Sequence, residues 1–311
     1  MATTSGLDTF NLELTDLVEE AFERCGLELR TGYDMRTARR SLNLLTIEWA
    51  NRGINLWTIE QGQVVMNTGQ AIYPIPVDTI DLLDTVVRTN NGQGNNQTDI
   101  NITRISESTY ITIPNKNANG RPIQVWINRQ SGQVATIPQA TLATGYPISD
   151  VSTTITLTDA SQLPTAGFVN IGSETIGYQN IVGNQILNAW RGQNGTTAAS
   201  HAALASVYVN NLPCINVWPT PNSPGNQYTF VYYRMRRIQD AGGGVNVADI
   251  PFRFIPCMVA GLSAQLSMKL QGVDPNRVVM LKTEYEQQWQ LAADEDRNKA
   301  SDRFVPRQLF Y

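Results

Sequence analysis

The sequence is poor in the residues on which most metal sites and many enzymes depend. It has one histidine and three cysteines in 311 residues. Cys25, Cys214 and Cys257 lie far apart and form no Cys-x-x-Cys pair. Neither a zinc site nor a disulfide framework is expected, and each cysteine reads as a buried thiol of a chain made in a reducing cytosol. Charge is also scarce, at 16% of residues with a net of -4. A broad nucleic-acid face needs clustered Lys and Arg to neutralise phosphates, and this balance argues against one. No stretch approaches the roughly 20 apolar residues of a membrane-spanning helix. The N-terminus has no basic segment followed by an apolar run, so neither a secretory signal nor a membrane role is expected. Asn, Gln and Thr fill the gap, a neutral polar composition common in extracellular and virion β proteins. The apolar fraction of 41% is ample for a core, and the length suggests about two domains.

The apolar pattern runs helix, strand, helix. Leu14, Leu17, Val18, Ala21, Phe22 and Cys25 recur at helical spacing, and Gly26 stops the run. Ala38, Leu42, Leu45 and Trp49 make a second stripe, opened by a Thr31–Asp34 capping box and ended by Gly53. From residue 57 the period becomes two. QVVMNTGQAIYPIP (63–76) reads as a hairpin around Asn67-Thr68-Gly69, and 81–89, 108–114 and 123–129 read as further strands. The segment NNGQGNNQ (90–97) can bury nothing and reads as an exposed loop. CINVWPTP (214–221) and QYTFVYYRMRR (227–237) read as a strand pair that completes the sheet begun at residue 57. The intervening 132–212 therefore looks like an insertion, with strands in 153–160, 167–181 and 185–190. Two helices close the chain. Asp249 and Pro251 open the first, Ile255, Met258, Val259, Leu262, Leu266 and Leu270 form its stripe, and Gly272 ends it. Asp274-Pro275 opens the second, with Val278, Leu281, Tyr285, Trp289 and Ala292 facing inward.

The fold class expected is α+β. A discontinuous helical bundle spans 1–56 and 245–300, a central β-sheet domain spans 57–131 and 213–244, and a small β domain is inserted at 132–212. A tail, 301–311, carries Phe304, Val305, Leu309, Phe310 and Tyr311 with no pattern that buries them at home, which reads as an assembly element.

Most candidates for chemistry fail on inspection. His201, in LNAWRGQNGTTAASHAAL (187–204), is the only possible imidazole base. Ser200 is its sequence neighbour, which is poor geometry for attack, and no Gly-x-Ser-x-Gly elbow exists. No third group that would orient the ring can be named. GQNGTT lacks the lysine of a phosphate loop, and AGGG (241–244) reads as a flexible link. The turn built from Arg191, Gly192, Gly195, Thr196 and His201 is therefore read as structural, its glycines allowing a tight reversal and its threonines bonding local backbone. No catalytic residue, cofactor or metal is expected. Asp294, Glu295 and Asp296 on the last helix read either as a solvated face or as an acidic wall that repels DNA phosphates. Arg234, Arg236 and Arg237 could pair with such acids on a neighbouring subunit, whereas Arg36, Arg39 and Arg40 are expected to bridge locally to Glu19, Glu20 and Glu23. Trp126, Trp190 and Trp218 raise a carbohydrate-binding or cell-wall-degrading module as an alternative. Trp126 and Trp218 lie in alternating strands, which favours a core role for those two.

AFERCG followed by ARRSLNLLTIEWANRGINLWTIEQ resembles the opening of the head-to-tail adaptors, or head-completion proteins, of short-tailed podovirus-like bacteriophages. INVWPTPNSPGNQYTFVYYRMRRIQDAG and then DIPFRFIPCMVAGLSAQLS resemble the later part of that family. The resemblance covers about residues 8–130 and 212–298. WRGQNGTTAASHAALASV resembles a turn pattern of small β domains in phage virion proteins, matched at Arg191, Gly192, Gly195, Thr196, Ala198 and His201, with Leu204 or Ala205 in place of its last glycine. The resemblance implies a structural virion protein at the head–tail junction, forming a twelvefold ring between portal protein and tail nozzle protein and extending the DNA channel. It implies transient passage of double-stranded DNA, and tail fibres as a further partner. It also implies that the tail, through Arg303, Phe304, Val305, Pro306, Leu309, Phe310 and Tyr311, reaches the portal; in such a ring the charge of Asp294, Glu295 and Asp296 would place them in part of the channel wall. The alternative within phage is another tail protein, a nozzle or fibre-attachment piece.

Overall fold

The structure, a computed structural model, describes residues 10–222 and 227–296. Helices α1 (Leu14–Cys25) and α2 (Gly32–Arg52) lead into β1 (Ile59–Val65), β2 (Ile72–Pro74), β3 (Thr79–Thr89), β4 (Thr98–Asn101) and β5 (Thr103–Arg104). A short helix α3 (Glu107–Ile111) precedes β6 (Asn119–Gly120), β7 (Gln124–Asn128), β8 (Ala140–Thr141) and β9 (Ile155–Thr156). Then come β10 (Gly167–Ile171), β11 (Glu174–Tyr178), β12 (Asn180–Val182), β13 (Gln185–Leu187), β14 (Trp190–Gln193) and β15 (Ser206–Asn210). Strands β16 (Cys214–Trp218), β17 (Thr220–Pro221) and β18 (Tyr228–Arg236) follow, and helices α4 (Ile255–Ser267) and α5 (Pro275–Glu295) end the described chain. By contact the chain divides into two compact units. A helical unit takes the chain up to Ile59 and from Arg237 onward, and a β unit is Glu60–Arg236. The class is α+β.

In the helical unit, α1, α2, α4 and α5 share one core that includes Leu17, Phe22, Leu45, Trp49, Met258, Leu262 and Trp289. Trp49 is fully buried. It meets Trp289 edge-on at 6.1 Å, and its indole N–H donates to the Tyr285 hydroxyl at 3.2 Å. That hydroxyl in turn donates to Glu48 at 3.0 Å, so the polar edges of a buried aromatic group are satisfied. The helix ends follow local chemistry. Thr31 Oγ1 accepts from the Asp34 amide at 3.2 Å while Asp34 accepts from the Thr31 amide at 3.1 Å, a complete capping box. Asp274 caps α5 through the Asn276 amide at 2.8 Å. Gly26 and Gly53 close α1 and α2 in the left-handed conformation.

Helix α4 departs from expectation at both ends. The Asp249 carboxylate accepts from the Gln239 amide at 2.9 Å and is not the cap of α4; a 3-10 turn at Phe252–Phe254 leads into the helix instead. The helix stops at Ser267, where the amides of Lys269 and Leu270 both turn back to the Leu266 carbonyl, five residues before Gly272. Gly261 in its middle has a packing reason. A Cβ there would lie 2.9 Å from side-chain atoms of both Leu45 and Tyr285, so the missing side chain lets α4 approach α2 and α5 closely.

The β unit contains two four-stranded sheets, ordered β1-β18-β3-β4 and β2-β16-β7-β5. Their common core includes Met66, Tyr73, Leu82, Val87, Val125, Ile215, Val217 and Phe230. This arrangement overturns two local readings. Residues 63–76 are not a hairpin, because β1 and β2 belong to different sheets. Likewise β16 pairs with β2 and β7, placing Ile215 opposite Tyr73 and Ile127, while β18 pairs with β3, placing Phe230 opposite Val87. In a layered β fold a turn can carry the chain from one sheet to the other, and apolar alternation does not record which partner a strand takes. Residues 108–114 are not a strand either. The Ser106 hydroxyl accepts from the Thr109 amide at 3.2 Å and starts α3.

Residues 132–212 carry a five-stranded sheet, β14-β11-β10-β15-β8, and a three-stranded one, β12-β13-β9. They have a core of their own, including Leu157, Val169, Ile176, Tyr178, Ile186 and Val207. The two ends of the segment meet: the Gly132 amide donates to the Asn211 carbonyl at 2.7 Å, and the Asn211 amide to Gln133 at 3.1 Å. Phe168 and Leu212 pack on Ile72 and Cys214, which joins this segment to the β2–β16 sheet.

Candidate functional site

The stretch with the lone histidine folds around an acid that the sequence does not advertise. Glu174 opens β11, all five residues of which are buried, and its side chain is 0% exposed. Arg191, on the neighbouring strand β14, meets it in a bidentate fork, with Nε donating to Oε1 at 2.8 Å and a terminal nitrogen to Oε2 at 2.6 Å. The amides of Gly192 and Ala199 donate to the same carboxylate at 3.0 and 3.1 Å, and His201 Nε2 donates at 2.8 Å. An ionised carboxylate can only accept, which fixes the ring proton at Nε2. Arg191 also donates to the carbonyls of Ser149, Ser152 and Ala199. Burial alone would raise the Glu174 pKa; the hydrogen bonds from Arg191 and His201 and the two amides outweigh it and hold the carboxyl at about 2.

The surrounding turn is shaped to present those groups. Gly192 has φ 58°, and a Cβ there would lie 3.0 Å from the Thr196 carbonyl oxygen. Thr196 Oγ1 donates to the Gln193 carbonyl at 2.7 Å and accepts from the Thr175 amide at 3.0 Å. The backbone of His201 exchanges both hydrogen bonds with Ile148. Arg191, Gly192, Thr196 and His201 thus come together around Glu174. Gly195, φ 74°, forms the bend before Thr196. The histidine does have an orienting acid, but that acid is sealed from solvent and saturated with donors, and the group ties the surrounding loops together.

The other charged candidates are engaged within their own unit. Asp296 accepts from the amides of Asn55 at 2.7 Å and Leu56 at 3.3 Å; burial raises its pKa in spite of these bonds. Glu295 pairs with Arg253. Asp294 is exposed on the last turn of α5. The arginine triplet needs no neighbouring subunit: Arg234 pairs with Glu60 at 2.9 Å and with Asp78, Arg236 with Glu60 at 2.6 Å, and Arg237 with Asp240 at 2.7 Å. Arg36 donates to its own helix at the Gly32 carbonyl, and the bridge from α1 is instead Arg24, paired with Glu20 and with Glu284 of α5. Trp126 and Trp218 are half-buried rather than in the core; Trp126 stacks on Tyr110 at 5.1 Å, and Trp218 donates to the Asn115 carbonyl at 2.9 Å. The three cysteines are buried and unpaired, and burial pushes the thiols of Cys214 and Cys257 up to about 12. Arg303, Phe304, Val305, Pro306, Leu309, Phe310 and Tyr311 lie outside the described residues.

What the described helices leave uncovered is apolar. On α2, Tyr33, Leu44 and Ile47 lie along one outer stripe and are 66, 53 and 43% exposed. On α5, Met280 and Leu291 share an outer stripe at 70 and 65%. Among the described residues no cluster of three His, Cys, Asp or Glu side chains has metal-ligand geometry. No described helix is long and apolar enough to cross a membrane.

The buried Glu174 cluster is bonded throughout, and apolar stripes lie on the outer faces of α2 and α5. The sequence matches the SU10 adaptor protein family over residues 113–307, more than half of the chain, and the chain belongs to that family. It is a phage structural adaptor and, as such, a virion component. The match runs through the 132–212 segment, beyond the stretches on which the head-to-tail resemblance rests. No curated protein matches the chain.

Proposed function

We propose that the chain forms a ring between the portal protein and the tail nozzle protein of a short-tailed phage, completing the head and extending the DNA channel. The observation that carries this reading is the pair of exposed apolar stripes on α2 and α5 in a unit whose own core is already filled. Exposed apolar surface of this kind is stabilised by a protein partner, and copies of the chain in a ring supply one. Twelve copies would match the portal's symmetry. Family membership supports the adaptor role. Double-stranded DNA passes through without being held tightly, consistent with a net charge of -4. Within the ring, Asp294 and its acidic neighbours contribute to the channel wall, and tail fibres dock from outside. The role is architectural, not enzymatic.

The segment 301–311 makes the contact with portal in this account, through Arg303, Phe304, Val305, Pro306, Leu309, Phe310 and Tyr311. Deleting it should leave a folded chain, by circular dichroism and thermal unfolding, that no longer cosediments with portal rings. Undiminished cosedimentation of the truncated chain would refute the assignment.

A further inference from the structure

The β unit has a cleft of about 470 Å³ where the β7–β16 sheet meets the inserted segment. One wall is aromatic. Tyr110 and Trp126 stack with ring centroids 5.1 Å apart and 29° between their planes. Another wall is made of amides, chiefly Asn216 and Asn180. Asn216 is only 5% exposed, yet its side-chain nitrogen meets nothing better than the Cys214 sulfur at 3.9 Å, and its Oδ1 has no donor among the described residues. The Tyr110 hydroxyl and the Trp126 indole N–H also have no hydrogen-bond partner among the described residues. Asn216 lies deep enough that a partner is expected; Tyr110 and Trp126 are half-buried, and all three line this one cavity.

The charge of the lining narrows what fits. No carboxylate lines the cleft among the described residues. The one cation among its described lining residues, Lys116, donates to the carbonyls of Ile111 and Ile113, both at 3.1 Å. That single solvent-exposed ammonium gives a phosphate or carboxylate ligand little net attraction, and a purely apolar ligand would leave the amides unmet. A sugar ring has what both walls need, with apolar C–H faces for the aromatic wall and hydroxyls that donate to and accept from amides, an indole and a phenol. We infer that this cleft binds a neutral oligosaccharide. It binds without cleaving, because glycoside hydrolysis uses a pair of carboxyl groups flanking the bond and this lining has none. The inference rests on the cleft alone and is independent of ring formation.

The test uses the full chain with maltotriose, cellotriose and triacetylchitotriose as probes and adenosine, a flat aromatic base on a single ribose, as control, read by saturation-transfer NMR and calorimetry. At least one triose should bind, and more tightly than adenosine. Asn216→Ala should weaken it by about tenfold, equivalent to about 1.4 kcal/mol. Thr165 is exposed on the cleft rim, so Thr165→Trp should fill the opening, abolish binding and leave thermal unfolding unchanged. Failure of all three trioses to bind, binding that survives Thr165→Trp, or adenosine binding as tightly as the best triose would each overturn the inference.

Discussion

Replacing Glu174 by Gln keeps the shape of a buried side chain and removes its charge. The Arg191 guanidinium, 7% exposed, then loses the anion it grips through two hydrogen bonds. The new amide nitrogen faces donors from Gly192, Ala199 or His201, and cannot accept from any of them. Removing one partner of a buried ion pair costs about 3–5 kcal/mol. That is a large share of the roughly 5–15 kcal/mol by which a domain is stable. Replacing Arg191 by Met at the same time removes the stranded cation, so the double variant should be destabilised by less than the sum of the single ones. Urea unfolding combined with hydrogen exchange of the β10 and β15 amides reads the loss where it occurs. The same group predicts a pH dependence. Its folded pKa of about 2 lies below the ordinary 4.5, so its stabilisation is complete above about pH 4.5 and fades as pH falls toward 2. Glu174→Gln should abolish that part of the acid sensitivity. A variant within about 1 kcal/mol of the parent at neutral pH would refute the view that this cluster holds the inserted segment together, since a buried pair is expected to cost several times that.

Other outcomes follow from the packing and charge. Gly261→Val should destabilise the helical unit by about 1–3 kcal/mol, because the added atoms collide with Leu45 and Tyr285; an unchanged melting curve would contradict the close approach of α4. Replacing residues 132–212 with a short Gly/Ser linker should leave the helical unit's thermal unfolding intact, since the ends of the segment are bonded to one another; complete loss of soluble protein would count against that. In a gel shift at low salt the isolated protein should bind duplex DNA weakly or not at all, and tight, salt-sensitive binding would point to a DNA-clamping role.

Helices were the most legible part of the sequence, because their signals are local. The Thr31–Asp34 box, Gly26, Gly53 and Asp274-Pro275 all act within one turn, and each does in the structure what its chemistry implies. Asp249 misled because an acid before a proline is a starting signal only if no other amide claims it, and Gln239 does. Strand pairing was less legible. The alternation in 63–76 and 214–237 shows which residues turn inward, but β1, β2, β16 and β18 choose partners that are distant in sequence. The sequence reading of the inserted segment's turn lacked its centre. Glu174, in GSETIGYQN, resembles an exposed turn acid. A signal was present: an arginine and a histidine in a neutral stretch, both headed for a buried turn, require an anion nearby. Sequence alone could not say which acid, since Glu174 stands 17 residues from Arg191 and 27 from His201.

The central claim is that this adaptor assembles into a ring on portal. Native mass measurement of the full chain, alone and mixed with purified portal rings, tests it most directly. The account predicts a mixed species whose mass equals one portal ring plus twelve adaptor chains. A mixture in which portal and adaptor keep their separate masses at every ratio would contradict it.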